Sequence, residues 1–194
     1  AGHIENFVDT LFWIAVPLYL TSKGLGIDAV GVVVGVHSAM YFTQIATGGL
    51  ADRIGRRPPV VAGMFLAGGG VLGMVLVEGY LAWATLAAVS GLGMALLYPN
   101  LMTVPSDAAH PSWRAAGMGV YRMWRDAGYG VGAILIGLSM EFVTLEAAFY
   151  MTAALMFVSG AVVLLWMEEN HPEFGTHEPP APATSRSRGS VAED

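Results

Sequence analysis

Gly48-Gly49-Leu50-Ala51-Asp52-Arg53-Ile54-Gly55-Arg56-Arg57 is a charged turn set between two oily runs, Val30 to Leu50 and Pro59 to Val77. Each run approaches the roughly 20 mostly apolar residues that a helix needs to cross about 30 Å of hydrocarbon. Reading outward from the turn, four more runs of this kind follow: Ile4–Leu20 before it, then Leu81–Val104, Ala115–Leu138 and Leu145–Met167 after it. Their apolar residues are continuous and do not alternate with period two, so a β-barrel is excluded. The links Ser22–Asp28, Ala51–Arg57, Glu78–Tyr80, Pro105–Arg114 and Ser139–Thr144 are short and force neighbouring helices to run antiparallel. The expectation is an all-α polytopic membrane protein, with a six-transmembrane-helix bundle over residues 1–168.

Composition points the same way. Of 194 residues, 55% are hydrophobic and 12% charged, about half the charge of an ordinary soluble domain. Mean hydropathy is +0.57. A disordered or collagen-like chain is excluded, and the lipid bilayer is the expected surrounding. Lys+Arg 9 against Asp+Glu 15 gives a net charge of −6, which argues against nucleic acid as a partner, since phosphate binding needs clustered cations. With no cysteine, disulfides and thiolate metal sites are ruled out. The histidines, His3, His37, His110, His171 and His177, never fall i, i+4 within one run, so no metal site is expected. Enzyme readings fail on residue identity. A six-span intramembrane serine protease needs Gly-x-Ser-Gly and a later histidine. Here Ser90-Gly91 follows Ala88-Val89, and the last two runs hold no histidine. No Gly-x-x-x-x-Gly-Lys loop is present, so ATP is not the energy source, and no cofactor is expected.

Orientation follows from the loop cations. Arg53, Arg56 and Arg57 follow the second run, Arg114 the fourth, and Arg186 and Arg188 the sixth. The other side has Lys23 among the acids Asp28, Glu78, Glu141 and Glu146. The basic side is expected in the cytoplasm, with both termini there. Residues 169–194, with Pro172, Pro179, Pro180 and Pro182, read as a disordered cytoplasmic tail. No basic segment or small-residue cleavage site frames the first run, so a cleavable signal is not expected. The first residue is Ala1 and not Met, which suggests further sequence upstream.

The polar residues inside the runs are the candidate site. Asp52 ends a helix, where the macrodipole disfavours an anion, so it needs a cation or another helix N-terminus as partner. Arg122 lies eight residues beyond Arg114, about 12 Å of helix rise, deep in the membrane. Arg122 and Asp126, and Arg125 and Tyr129, are i, i+4 pairs. The cluster Arg122, Arg125 and Asp126 is either a self-paired anchor or a gate whose pairs change between states. Glu5 and Asp9 share a face with Asn6 beside them. Glu5 reads as interfacial. Asp9 is either a desolvated proton carrier or the partner of Arg122 or Arg125. His37, mid-run with Tyr41 and Gln44 nearby, either relays protons and binds substrate or bonds a neighbouring helix. Tyr19, Tyr98, Asn100 and Tyr129 are candidate cavity liners. Pro17 and Pro99 are candidate bends. Gly69 with Gly73, and Gly128 with Gly132, would let helices approach closely.

The turn resembles the cytoplasmic signature of the major facilitator superfamily of secondary transporters, matched by Gly48, Asp52, Arg53, Gly55, Arg56 and Arg57. Gly91-Leu92-Gly93-Met94-Ala95-Leu96-Leu97-Tyr98-Pro99-Asn100 is similar to that family's tenth helix. His110-Pro111-Ser112-Trp113-Arg114 through Gly119-Val120-Tyr121-Arg122-Met123-Trp124-Arg125-Asp126-Ala127-Gly128-Tyr129 is similar to its eleventh. The likeness covers residues 2–168 and suits the C-terminal half of a twelve-helix fold. It implies that the six signature residues form a conformational latch, with Asp52 reaching a helix of the other half. It also implies alternating access to a midplane site by two rocking halves in the plasma membrane. The substrate is then a small molecule and the driving ion a proton or sodium. Proton-driven antiport in the efflux direction is the first expectation. An uptake symporter for sugar or organic anion, or a channel-like module that transports nothing, is the alternative. One half cannot enclose such a site, so the expected partner is a missing N-terminal six-helix half or a second copy.

Overall fold

Long oily runs separated by glycine and proline punctuation fold as expected, into antiparallel helices. The computed structural model describes residues 2–108, 110 and 112–167, without the side chains of Asp52 and residues 104–108. Among the described residues the elements are α1 (Gly2–Ser22), α2 (Ile27–Ala39), a 3₁₀ turn (Met40–Thr43), α3 (Gln44–Ile54), α4 (Arg57–Leu76), α5 (Tyr80–Ala108), α6 (Arg114–Phe142) and α7 (Leu145–Trp166). The second run is thus one span broken by a 3₁₀ turn. The expected tail falls outside the described residues.

Local chemistry explains the ends. Gly24 takes a φ of +89° and closes α1, with Leu25 N–H donating to the Leu20 carbonyl at 3.1 Å. Gly55, at φ +87°, ends α3 and donates to the Ala51 carbonyl at 3.0 Å. That conformation is why the charged turn needs a glycine there. Pro58 and Pro59 sit in the first turn of α4, where no helical donor is lost. Thr144 caps α7 by accepting from the Ala147 N–H at 3.1 Å.

The helices close into a ring, α1–α6–α7–α4–α5–α2, and α1 also leans across it against α7, α4 and α5. Hence α1 is buried without a break from Glu5 to Phe12. This accounts for its composition. Four spans are long and apolar enough to cross a membrane on their own: Ile27–Ala51, Arg57–Leu76, Tyr80–Thr103 and Leu145–Trp166. α1 and α6 enclose Glu5, Asp9 and Arg125 between them, while Arg122 and Asp126 of α6 are exposed. On α6 the buried residues are Arg125, Gly128, Gly132 and Ile136, one stripe at helical spacing.

In lipid, helices associate through close packing and interhelical hydrogen bonds, since the tails are as apolar as leucine. α4 and α5 meet backbone to backbone: a Cβ on Gly93 would lie 2.5 Å from the Ala67 nitrogen and 2.7 Å from the Gly63 carbonyl oxygen. Neither backbone atom can swing aside. Gly93→Val is expected to lose about 1–3 kcal/mol by thermal unfolding in detergent. Gly69→Ala should cost nothing, because no atom lies within 4 Å of the added carbon. Of the paired glycines expected at interfaces, Gly73, Gly128 and Gly132 meet neighbours and Gly69 does not.

Pro17 and Pro99 do not interrupt their helices: α1 and α5 run through them, and α5 continues to Ala108, past the expected link at Pro105. The physical reason is visible at Pro99. It cannot donate to the Ala95 carbonyl, and Thr47 of α3 donates its hydroxyl to that oxygen at 2.8 Å. At the opposite end, Lys23 and Glu78 pair at 3.1 Å across the α1–α2 and α4–α5 turns. The Glu78 carboxylate raises the Lys23 ammonium above its ordinary pKa.

Candidate functional site

Where α1 crosses α6, close contact sets the register. A Cβ on Gly128 would overlap the His3 carbonyl oxygen. Asn6 donates its side-chain amide to the Arg125 carbonyl at 2.8 Å, and His3 Nδ1 lies 3.0 Å from the Trp124 carbonyl. That register decides the charge partners. Arg125 donates Nε to Glu5 at 2.5 Å, with Asn6 Oδ1 at 3.5 Å from its Nη2 and Asp126 at 3.3 Å from its Nη1. Its guanidinium lies 4.7 Å from the centre of the Tyr98 ring on α5. Glu5 is fully buried rather than interfacial, and its second oxygen, Oε2, has no partner among the described residues.

One turn along α1, Asp9 meets a different set. Tyr41, on the 3₁₀ turn, donates its hydroxyl to Oδ1, and Tyr129 of α6 donates to Oδ2 at 3.1 Å. His37 Nε2 stands 3.4 Å from the Tyr41 hydroxyl and 3.6 Å from Asp9 Oδ1. The imidazole stacks on Phe12 with ring centres 3.6 Å apart and planes 9° apart, and its Nδ1 is buried without a partner. Tyr129 in turn stacks on Trp13.

The structure therefore brings together Asn6, Asp9, His37, Tyr98, Arg125 and Tyr129 from four elements, with Tyr41 of the 3₁₀ turn as a fifth. It differs from the pairings read along the chain. Arg125 takes Glu5 and lies over Tyr98, not Tyr129; Asp126 pairs with Arg125; Asp9 takes hydroxyls instead of a guanidinium. Arg122 is exposed and apart. Gln44 is half-buried at the start of α3, and Asn100 is buried and bonded to the Leu96 carbonyl of its own helix at 2.7 Å. Sequence reasoning undervalued Glu5 and passed over Thr47. The signal for Glu5 was its i, i+4 relation to Asp9; none pointed to Thr47.

The signature residues gather at the end of α3. Asp52 sits in its last turn, and its side chain lies outside the described ones. Arg57 donates to the Leu164 carbonyl of α7, and Arg53 is exposed. Gly48 and Gly49 have no described atom within 4 Å of an added Cβ, so no neighbour among the described residues requires a glycine. A cleft of about 220 Å³ opens there between Gly48, Ala51, Arg56, Pro99, Asn100 and Thr103. Elsewhere on the broken span Phe42 and Ile45 are 82% and 88% exposed, and Trp124 of α6 is 68% exposed.

Comparison with known proteins follows this geometry. The family model of the Major Facilitator Superfamily matches residues 2–191. An uncharacterized MFS-type transporter, YddS of Bacillus subtilis, is 26% identical over 84% of this chain and 36% of its own length. The multidrug resistance protein MdtH of Aeromonas hydrophila is 29% identical over 77% of this chain and 36% of its own. A crystal structure of the peptide transporter POT in complex with sulfate superposes with a TM-score of 0.76 at 25% identity, covering 92% of this chain and 38% of that one. The match thus spans little more than a third of each of these relatives.

Proposed function

This chain belongs to the major facilitator superfamily, and from that premise we propose that it is the C-terminal six-helix half of a secondary transporter. It acts with a second six-helix half, moving a small molecule across the plasma membrane by alternating access, with an ion gradient as the energy source. Its open face supports this reading. Gly48 lines the cleft, no described atom lies within 4 Å of a Cβ added at Gly48 or Gly49, and large apolar residues of the broken span and of α6 are uncovered. Such a face suits a second set of helices. The arginine-bearing turn faces the cytoplasm in this reading, as do both termini.

The observation that carries the proposal is the pair of buried carboxylates on α1, Glu5 and Asp9, in the most enclosed helix of the bundle. Glu5 is matched by Arg125; among the described residues Asp9 meets no arginine or lysine, takes bonds from two hydroxyls and has the His37 imidazole 3.6 Å away. Intramembrane acids are expensive and mark ion pathways. We assign Asp9 to ion coupling and the Glu5–Arg125 pair, with Asp126, to a gate. Efflux of drug-like molecules is the first substrate reading, supported by the likeness to a multidrug resistance protein.

The test uses the complete transporter in proteoliposomes with ethidium as probe. An imposed proton gradient should drive saturable ethidium accumulation. Asp9→Asn should abolish accumulation against the gradient while sparing downhill exchange. Uphill transport by that variant would remove Asp9 from coupling. Accumulation driven only from the other side would favour uptake, and flux that neither saturates nor couples would mean a pore.

A further inference from the structure

We propose that Asp9, Tyr41 and His37 form a relay for a single proton, entered at His37 Nδ1, with Tyr41 as the bridge that the broken span moves. This rests on the coupling role given to Asp9 and names the ion and its path.

The hydrogen bonds fix a direction. Tyr41 donates its only proton to Asp9 Oδ1, so toward His37 it has only lone pairs to offer. His37 Nε2, 3.4 Å from that oxygen, must then carry the hydrogen, which leaves Nδ1 as the bare basic nitrogen. Nδ1 is also the buried atom without a partner. A proton arriving at Nδ1 makes an imidazolium over the Phe12 face, a favourable cation–π placement. The Nε2 proton then passes to the Tyr41 oxygen as the Tyr41 proton passes to Asp9. The balance is imidazolium plus carboxylate giving neutral imidazole, protonated on Nδ1, plus carboxylic acid. Tyr41 ends as it began. Desolvation favours this neutral pair over separated charges.

Charge bookkeeping limits the relay to one proton. The groups around Asp9 are Glu5 on α1, His37 on α2, Tyr41 on the 3₁₀ turn, Tyr98 on α5 through Arg125, and Arg125 with Tyr129 on α6. The only acid or base on α4 is Arg57, bonded to Leu164, and α7 brings Glu146 and Tyr150, in its first turn and on its exposed face. Glu5 and Arg125 cancel, and Asp126, which meets the same guanidinium, is half exposed, so among the buried groups one negative charge remains, on Asp9. Sodium fits poorly, because a hard cation asks for a shell of oxygen acceptors. Asp9 instead has two hydroxyl donors and an imidazole.

The bridge stands on the break. A Cβ on Gly91 would overlap the His37 carbonyl oxygen and lie 2.8 Å from Met40 Cβ, so α5 holds the end of α2 tightly. Beyond the break, Thr47 ties α3 to the Ala95 carbonyl of the same helix. Tyr41 lies between these two anchors, on the one short segment of the span that is 3₁₀, a feature that often marks a hinge. A change at the turn can withdraw Tyr41 while His37 and Asp9 stay in place.

Nitrogen NMR on the full protein in lipid nanodiscs, with ¹⁵N-histidine and His37 identified by loss of its signals in His37→Gln, tests this without a substrate. In alkaline buffer His37 should carry its proton on Nε2. On acidification it should switch to the Nδ1–H neutral form, while a carboxylic acid band absent from Asp9→Asn grows in the infrared. In Tyr41→Phe the switch should vanish and His37 should become doubly protonated. A wild-type His37 protonated on Nδ1 from the start, or an imidazolium formed with no acid band at Asp9, would overturn the relay. An intact tautomer switch beside transport indifferent to a proton gradient would leave the relay standing and remove the coupling role instead.

Discussion

Replacing Arg125 with methionine is expected to destabilise the bundle by about 3–5 kcal/mol, the largest loss from any single substitution considered. Glu5 is completely enclosed, and among the described residues Arg125 supplies the only bond to its Oε1 while Oε2 has none. Without the guanidinium an ionised carboxylate would be stranded where neither water nor lipid headgroup reaches it. The guanidinium also serves Asn6, Asp126 and the Tyr98 face. Methionine keeps most of the apolar stem, so the loss reports charge more than packing. The decisive control is the double variant Glu5→Gln, Arg125→Met, which should recover most of the stability, since replacing a whole buried ion pair is often near neutral. Unfolding midpoints in detergent compare the three proteins. If the single and double variants melt together, Glu5 carries no uncompensated charge and the gate assigned to this pair loses its basis.

That experiment bears on a junction the sequence did not resolve. Runs of apolar residues, short links and cations on alternate turns were legible because each is a local property of the chain. So was Asp52 in the last turn of a helix, since Gly55 marks where α3 must stop. Charge partners are not local. Along α6, Arg125 and Tyr129 are spaced to meet each other, yet the stripe of Arg125, Gly128, Gly132 and Ile136 faces α1. Gly128 lets the helices close until Arg125 stands opposite Glu5 and Tyr129 opposite Asp9. A shift of one turn would exchange these partners, and only the interhelical contact forbids it. The 3₁₀ turn was equally hidden, because Met40-Tyr41-Phe42-Thr43 holds neither glycine nor proline. Pro99 misled in the opposite sense: the bond it gives up is replaced from Thr47, 52 residues earlier in the chain. Both misreadings concern the broken span and its hold on α5, where tertiary contacts override local preference.

The signature turn offers the sharpest contrast between a half and a whole. Gly48→Leu is expected to leave the chain's own stability unchanged or slightly improved. No described atom lies within 4 Å of the new Cβ, and leucine is a better helix former than glycine by up to about 1 kcal/mol. In the complete transporter the same leucine would project into the cleft lined by Ala51, Arg56, Pro99, Asn100 and Thr103, the place we assign to a helix of the other half. Transport should then fall roughly tenfold or more, equivalent to at least about 1.4 kcal/mol lost from one of the alternating states. Asp52→Asn should act in the same direction without abolishing insertion. It removes the anion that the end of α3 disfavours, and with it the attraction we propose to a partner outside the chain. The two variants separate shape from charge at one docking surface. Leucine obstructs the closed state itself, which every cycle must pass through, so it should lower the rate at all substrate concentrations. Asparagine only weakens one closed state, so it should change how the rate depends on substrate. Wild-type ethidium transport in both variants would mean that no other half closes on this turn, and that a second six-helix lobe must dock elsewhere or not at all.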